Sequence, residues 1–300
     1  MKKGVISVFF AYVIWGFFPI YFKLLHDAPA IQIMTHRVTW SFIFLFILVS
    51  LRKEVGLIIG RLNKKIILIY LAAGLLLSIN WLTYVWGVNA GFVVETSLGY
   101  FINPLVSVSL GMIFLRERLR PLQWVPVALA AIGVIYLTIL HGSLPWIALV
   151  LAFSFGFYGL FKKIAPLPSI QGVTLETAAI FIPALAFLLF SEFSGIGIFG
   201  HSSALTSILL ALSGIVTAIP LILFATGAPL VTLSTIGLLQ YVAPTIQFLI
   251  GVFLFGEPFS QHQLLGFSII WLALLIFSVE GYMARRKTIH NPTVTPVSTD

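Results

Sequence analysis

The stretch THRVTWS, residues 35–41, puts an arginine where hydrocarbon is expected. Arg37 lies about six residues, or roughly 9 Å of helix, inside the apolar run IQIMTHRVTWSFIFLFILVSL. A guanidinium in hydrocarbon costs roughly 3 kcal/mol on insertion scales, so such a residue faces a bundle interior, pairs, or lines a path. A second ionisable residue occupies the matching place in the run PSIQGVTLETAAIFIPALAFLL. Aligning the two IQ dipeptides sets Thr174 on Thr35 and Glu176 on Arg37. The chemistry this suggests is Arg37 in a central cavity, with Glu176 or a substrate carboxylate as its counter-ion. Separate roles at the two ends of the membrane also fit, as does an arginine that snorkels to carbonyls or lipid. His36 shares a helix face with Trp40, four residues on, and histidine titrates near neutral pH. His36, Glu95 and Glu176 are therefore the candidates for proton coupling. Glu95 equally suits the first turn of a helix, where the dipole favours an acid.

Amides and aromatic rings fill out the candidate cavity. Tyr100, Asn103, Pro104, Ser107 and Gly111 recur at three- and four-residue spacing, and Gln240, Pro244, Gln247 and Gly251 do the same in the second half of the chain. Polar groups in hydrocarbon need partners, so this face points to a cavity or to another helix. Asn80, Trp81, Tyr84 and Asn89 add to it. Trp15, Tyr84, Tyr100, Tyr158 and Tyr241 suit a cage for an amphipathic or cationic cargo, and equally suit packing or interfacial anchoring. No set of residues suits catalysis. There is no P-loop, GxSxG or HExxH, and aspartate is limited to Asp27 and Asp300. Cysteine is absent and histidines stand singly, so no metal site, disulfide or cofactor is expected.

The elements that must position these groups are membrane helices. The chain is 60% hydrophobic and 9% charged, with a mean hydropathy of +1.09. A soluble domain carries about 25% charged residues. Ten apolar runs of about 20 residues follow one another, at roughly 4–22, 31–51, 66–88, 93–115, 122–140, 145–162, 170–191, 205–226, 232–255 and 262–283. The net charge of +8 does not indicate nucleic acid, because the cations sit at the ends of these runs. The basic start before the first run has no small-residue cleavage site after it and reads as the first span. With a cytoplasmic N-terminus, Lys2, Lys3, Arg52, Lys53, Arg61, Lys64, Lys65, Arg116, Arg118, Arg120, Lys162, Lys163, Arg285, Arg286 and Lys287 all fall on the cytoplasmic side. Only Lys23 and Arg37 do not, which predicts both termini inside.

The chain repeats itself at a constant offset. LGYFINPLVSVSLGMIFLRERLRPLQ (98–123) lies over LLQYVAPTIQFLIGVFLFGEPFSQHQ (238–263), and the same shift sets WGFFPIYFK (15–23) over FGFYGLFKK (155–163). Half the chain holds five spans, so the second copy crosses in the opposite sense. The predicted fold is an all-α integral membrane protein of ten transmembrane helices, built as two inverted five-helix repeats over 1–140 and 141–284. A disordered cytoplasmic tail over 285–300 is expected to follow. Inverted repeats are a building plan of secondary transporters, with the site between the copies.

These residues also carry a resemblance. The block FINPLVSVSLGMIFLRERLRPLQW and its echo QYVAPTIQFLIGVFLFGE, with AYVIWGFFPIYFKLL, THRVTWSF, ETSLGYFINPL and GIVTAIPLILF, resemble the EamA branch of the drug/metabolite transporter superfamily. The resemblance spans nearly all the apolar runs. It implies ten helices around a cavity and a bacterial inner-membrane permease. The implied activity is export of small organic metabolites or drugs, chloramphenicol-like or amino-acid-like, by alternating access with or without protons. A membrane sensor or scaffold is the alternative. The partners expected are a small-molecule substrate and lipid; a monomer or a homodimer both fit.

Overall fold

A computed structural model of the 300-residue chain describes residues 2–25, 27–89, 93–141, 146–256 and 261–290. Among these residues all regular structure is helical. The α-helices are α1 (Lys2–Gly16), α2 (Phe18–Lys23), α3 (Ala30–Leu51), α4 (Val55–Arg61), α5 (Lys64–Asn89), α6 (Val93–Phe114), α7 (Trp124–His141), α8 (Trp146–Ile164), α9 (Ser169–Phe193), α10 (Ala204–Gly227), α11 (Leu233–Leu239), α12 (Val242–Leu249) and α13 (Gln261–His290). Seven helical stretches are long and apolar enough to cross a membrane. Three further apolar helices, Gly99–Phe114, Pro121–Tyr136 and Leu264–Phe277, are shorter among the described residues. Large apolar side chains such as Ile113, Ile182, Phe190 and Phe193 stand exposed on the helices, as a lipid-facing surface requires.

Two expected spans are interrupted, and proline explains each break. Pro19 sits in the first turn of α2 and has no N–H for the carbonyl four residues back, that of Trp15. The helix stops at Gly16 and restarts at Phe18, and the freed Trp15 carbonyl accepts a hydrogen bond from Gln247 Nε2 at 3.1 Å. Pro244 likewise lies in α12, just past the break between Leu239 and Val242. A π-turn over Ile250–Leu254 continues that span. Pro104, the repeat partner of Pro244, sits inside an unbroken α6.

The helices gather into two compact units, one of residues 1–117 with 144–258 and one of 118–143 with 259–300. This division does not follow the two halves of the sequence repeat. In the larger unit α6 packs on α8 and α11, α3 on α9 and α10, and α1 on α10 and α12. Without a hydrophobic force between helices in lipid, close approach depends on small residues. A Cβ at Gly237 would stand 2.6 Å from the Pro104 carbonyl oxygen, and one at Gly74 2.8 Å from that of Glu176. In the smaller unit α7 packs on α13, and Arg120 Nε reaches the buried Glu280 carboxylate at 3.1 Å. The helix α13 runs to His290, so residues 285–290 are helical where a disordered tail was expected. Backbone hydrogen bonding carries the helix through the Arg285–Lys287 cluster, because three cations are no barrier to a helix outside hydrocarbon. Residues 291–300 lie outside the described residues.

Candidate functional site

A cavity of about 200 Å³ opens within the larger unit. Of the residues singled out from the sequence, Trp15, Arg37, Asn80, Tyr84, Tyr100, Asn103, Gln240 and Gln247 line it. They come from α1, α3, α5, α6, α12 and the link before α12, so both halves of the repeat contribute. Asn80 is held by α8: its Nδ2 donates to the Leu151 carbonyl at 2.9 Å and to Ser154 Oγ at 3.1 Å. Gln240 Oε1 accepts from Ser107 Oγ at 3.2 Å, tying α6 to the link between α11 and α12. Asn103 Oδ1 and Gln240 Nε2 are buried and have no hydrogen-bond partner among the described residues. Tyr84 and Tyr100 meet edge to face, 5.7 Å between centroids.

Arg37 is the one basic side chain on the described cavity wall, and it is only 8% exposed. Its Nε donates to Thr217 Oγ1 on α10 at 3.0 Å. Its Cζ lies over three aromatic rings: Trp81 at 4.7 Å, Phe22 at 4.9 Å and Phe18 at 5.4 Å. Arg37 forms no ion pair among the described residues. Among the described residues the charge is thus held by quadrupoles and a hydroxyl, not by a carboxylate.

Glu176 lies elsewhere and has a different partner from the one the alignment suggested. Lys162 Nζ donates to its Oε1 at 2.6 Å and Tyr158 Oη to its Oε2 at 3.2 Å. Lys162 is 2% and Glu176 1% exposed. The pairing of Arg37 with Glu176 is therefore corrected to Lys162 with Glu176. The short link between Ile164 and Ser169 brings Lys162, in the last turn of α8, within reach of Glu176 in the second turn of α9, whereas Arg37, although α3 also packs on α9, lies over Phe18, Phe22 and Trp81 and donates to Thr217 on α10. Tyr158 stacks on Phe224 at 5.9 Å and belongs to this cluster, not to the cavity wall.

Three more expected cavity residues point away. His36 and Trp40 do share a face of α3, but that face meets Phe199 in the link between α9 and α10, at 5.1 and 5.8 Å. Successive helical residues are separated by about 100°, so Arg37 can line the cavity while His36 does not. The link is pinned by Gln32, whose Nε2 donates to the Ile196 carbonyl and whose Oε1 accepts from Ile198 N. Tyr241 is fully buried and donates to the Phe101 carbonyl at 3.2 Å. The side chain of Glu95 lies outside the described residues.

Tyr12, Phe18, Phe22, Leu77 and Phe155 also line the cavity and were not singled out. A signal existed for two of them. The sequence repeat sets Phe18 and Phe22 on Tyr158 and Lys162. In each half, then, the charged residue of one helix faces the same two repeat positions: Arg37 over Phe18 and Phe22, Glu176 beside Tyr158 and Lys162. The first pocket is hollow and the second is filled by its own ion pair.

Three comparisons bear on identity. Residues 2–139 match the EamA-like transporter family. An uncharacterized transporter, YojE, of Bacillus subtilis (strain 168) is 50% identical over 96% of this chain and 97% of its own length. Protein RarD of Escherichia coli (strain K12) is 41% identical over 96% and 97%. A crystal structure of 19% identity superposes with a TM-score of 0.67 over 91% of this chain and 96% of that one, which speaks for the fold alone. With full-length identity of this order, seven apolar helices and an interior cavity, the chain belongs to the EamA-like transporter family: it is a multi-pass membrane transporter, similar to the RarD proteins.

Proposed function

We propose that the protein is a secondary-active permease that exports small organic metabolites or drugs across a bacterial inner membrane by alternating access. The observation that carries this reading is the cavity, walled by helices of both sequence halves and holding one arginine among aromatic rings and amides. In this reading the three shorter apolar helices are spans too, which makes ten, arranged as two inverted repeats over 1–140 and 141–284.

The repeat supplies a mechanism. With the N-terminus inside, Arg37 stands toward the outer leaflet and the Lys162–Glu176 pair toward the inner one. The inner end is drawn shut by that pair, by Lys163 donating to the Val231 carbonyl, and by Glu117. Glu117 accepts from Leu233 N, Ser234 N and Ser234 Oγ at 2.6, 3.0 and 2.9 Å, capping α11. Rocking the halves exchanges their conformations, parting Lys162 from Glu176 and closing the hollow beside Arg37. A proton taken up by Glu176 when the pair parts would couple the cycle to the proton gradient.

Counterflow in proteoliposomes tests this, across amino acids, nucleosides and amphenicols, with and without an imposed pH gradient. Gradient-dependent movement that Glu176→Gln abolishes supports a coupled exporter. Movement indifferent to the gradient supports a uniporter. No movement by folded protein refutes the permease reading and favours a membrane sensor or scaffold.

A further inference from the structure

We propose that the Arg37 cavity binds a small organic anion with a flat apolar frame, its carboxylate gripped by the two Nη groups of Arg37. This rests on the permease reading and names the substrate class of its site. The geometry of the guanidinium leads there. Its Cζ lies over the rings of Trp81, Phe22 and Phe18, and Thr217 occupies Nε. Neither Nη group is hydrogen-bonded to any described residue, although the side chain is more than nine-tenths buried. What remains, on a residue of the cavity wall, is a planar fork of N–H groups, the shape that a carboxylate fits with two parallel hydrogen bonds.

Charge selects the same ligand. No carboxylate side chain is among the described residues lining the cavity. A cation buried without a counter-ion gains most from a ligand that brings one. A neutral acceptor would satisfy the N–H groups but leave the charge uncompensated, and a cationic cargo would meet repulsion. Tyr84, Tyr100, Trp15 and Phe155 supply ring faces and edges for an apolar frame. At about 200 Å³ the space is below the roughly 300–1,000 Å³ of drug-sized sites, which suits a single ring.

The test is isothermal titration calorimetry on detergent-purified full-length protein with three probes of one shape: phenylacetate, phenylacetamide and phenethylamine. Phenylacetate is expected to bind at least roughly tenfold more tightly than the amide, with the amine weakest. Arg37→Gln should erase that preference, and Arg37→Lys should retain part of it, as a point charge without the fork. Because the probe comparison uses the wild-type protein, it stands even if a variant fails to fold. Equal or tighter binding of phenylacetamide or phenethylamine overturns the proposal, as does a preference that survives Arg37→Gln. Chloride or sulfate competing as well as phenylacetate would also overturn it, since the frame would then count for nothing. Repeating the titration in phosphatidylcholine nanodiscs with and without phosphatidylglycerol separates a soluble anion from a lipid headgroup. Loss of phenylacetate binding only with the anionic lipid assigns the fork to lipid and overturns the proposal. Failure of all three probes to bind folded protein overturns it as well, while counterflow of a neutral cargo would leave the permease reading intact.

Discussion

Replacing Lys162 by Met strands the Glu176 carboxylate with one hydrogen bond, from Tyr158 Oη at 3.2 Å. Replacing Glu176 by Met strands the Lys162 ammonium, whose nearest remaining support is the face of Tyr158 at 5.9 Å. Both side chains are at most 2% exposed and the pair closes at 2.6 Å, so water cannot screen it or take over for the missing partner. Breaking a buried pair on one side costs roughly 3–5 kcal/mol, whereas replacing both partners by apolar residues of similar volume is close to neutral. Each single substitution should therefore destabilise the protein by about 3–5 kcal/mol, and the double substitution by no more than about 1–2 kcal/mol. Unfolding in mixed micelles, followed by tryptophan fluorescence against denaturing detergent, gives all four corners of the cycle. Single variants within about 0.5 kcal/mol of wild type would mean that the pair behaves as a solvated surface bridge. A double variant as unstable as the sum of the singles would mean that the loss comes from packing. Either result refutes the reasoning.

Two other predictions concern the inner end and the topology. Glu117→Gln keeps the shape but removes the charge that caps Leu233 and Ser234, and should cost roughly 1–3 kcal/mol in the same unfolding assay, with exposure of the start of α11 by hydrogen exchange. The chain has no native cysteine, so single cysteines report sidedness directly. In intact cells a membrane-impermeant maleimide should label Ser202→Cys and spare both Asn63→Cys and Leu122→Cys. Labelling of only one of the latter two would remove a span between them.

Much of the fold was legible because hydrocarbon imposes simple rules. A run of about 20 apolar residues must be a helix there, and the runs at 31–51, 145–162 and 170–191 became α3, α8 and α9 within a few residues. The breaks at Phe17 and before Val242 were not predicted, although Pro19 and Pro244 mark them. A proline can bend, break or leave a helix intact, as Pro104 does, depending on what takes the freed carbonyl. The short helix α4 was missed because its seven residues leave no span-length signal.

For the site, burial was legible and partnership was not. An arginine and a glutamate inside apolar runs had to face protein, and both do. Lys162, at the end of a run, looked like one of the cations that set orientation; only the tertiary structure makes it the counter-ion of Glu176. His36 was one residue from the cavity wall, and one residue on a helix is a different face. The sequence by itself determined that this chain spans a membrane, where its charges are buried, and that its two halves echo each other. Tertiary structure alone decided that one charge lines a hollow and the other fills its own pocket. The reason is that composition and spacing fix transfer free energy and helix face. Which faces meet depends on how every helix packs at once.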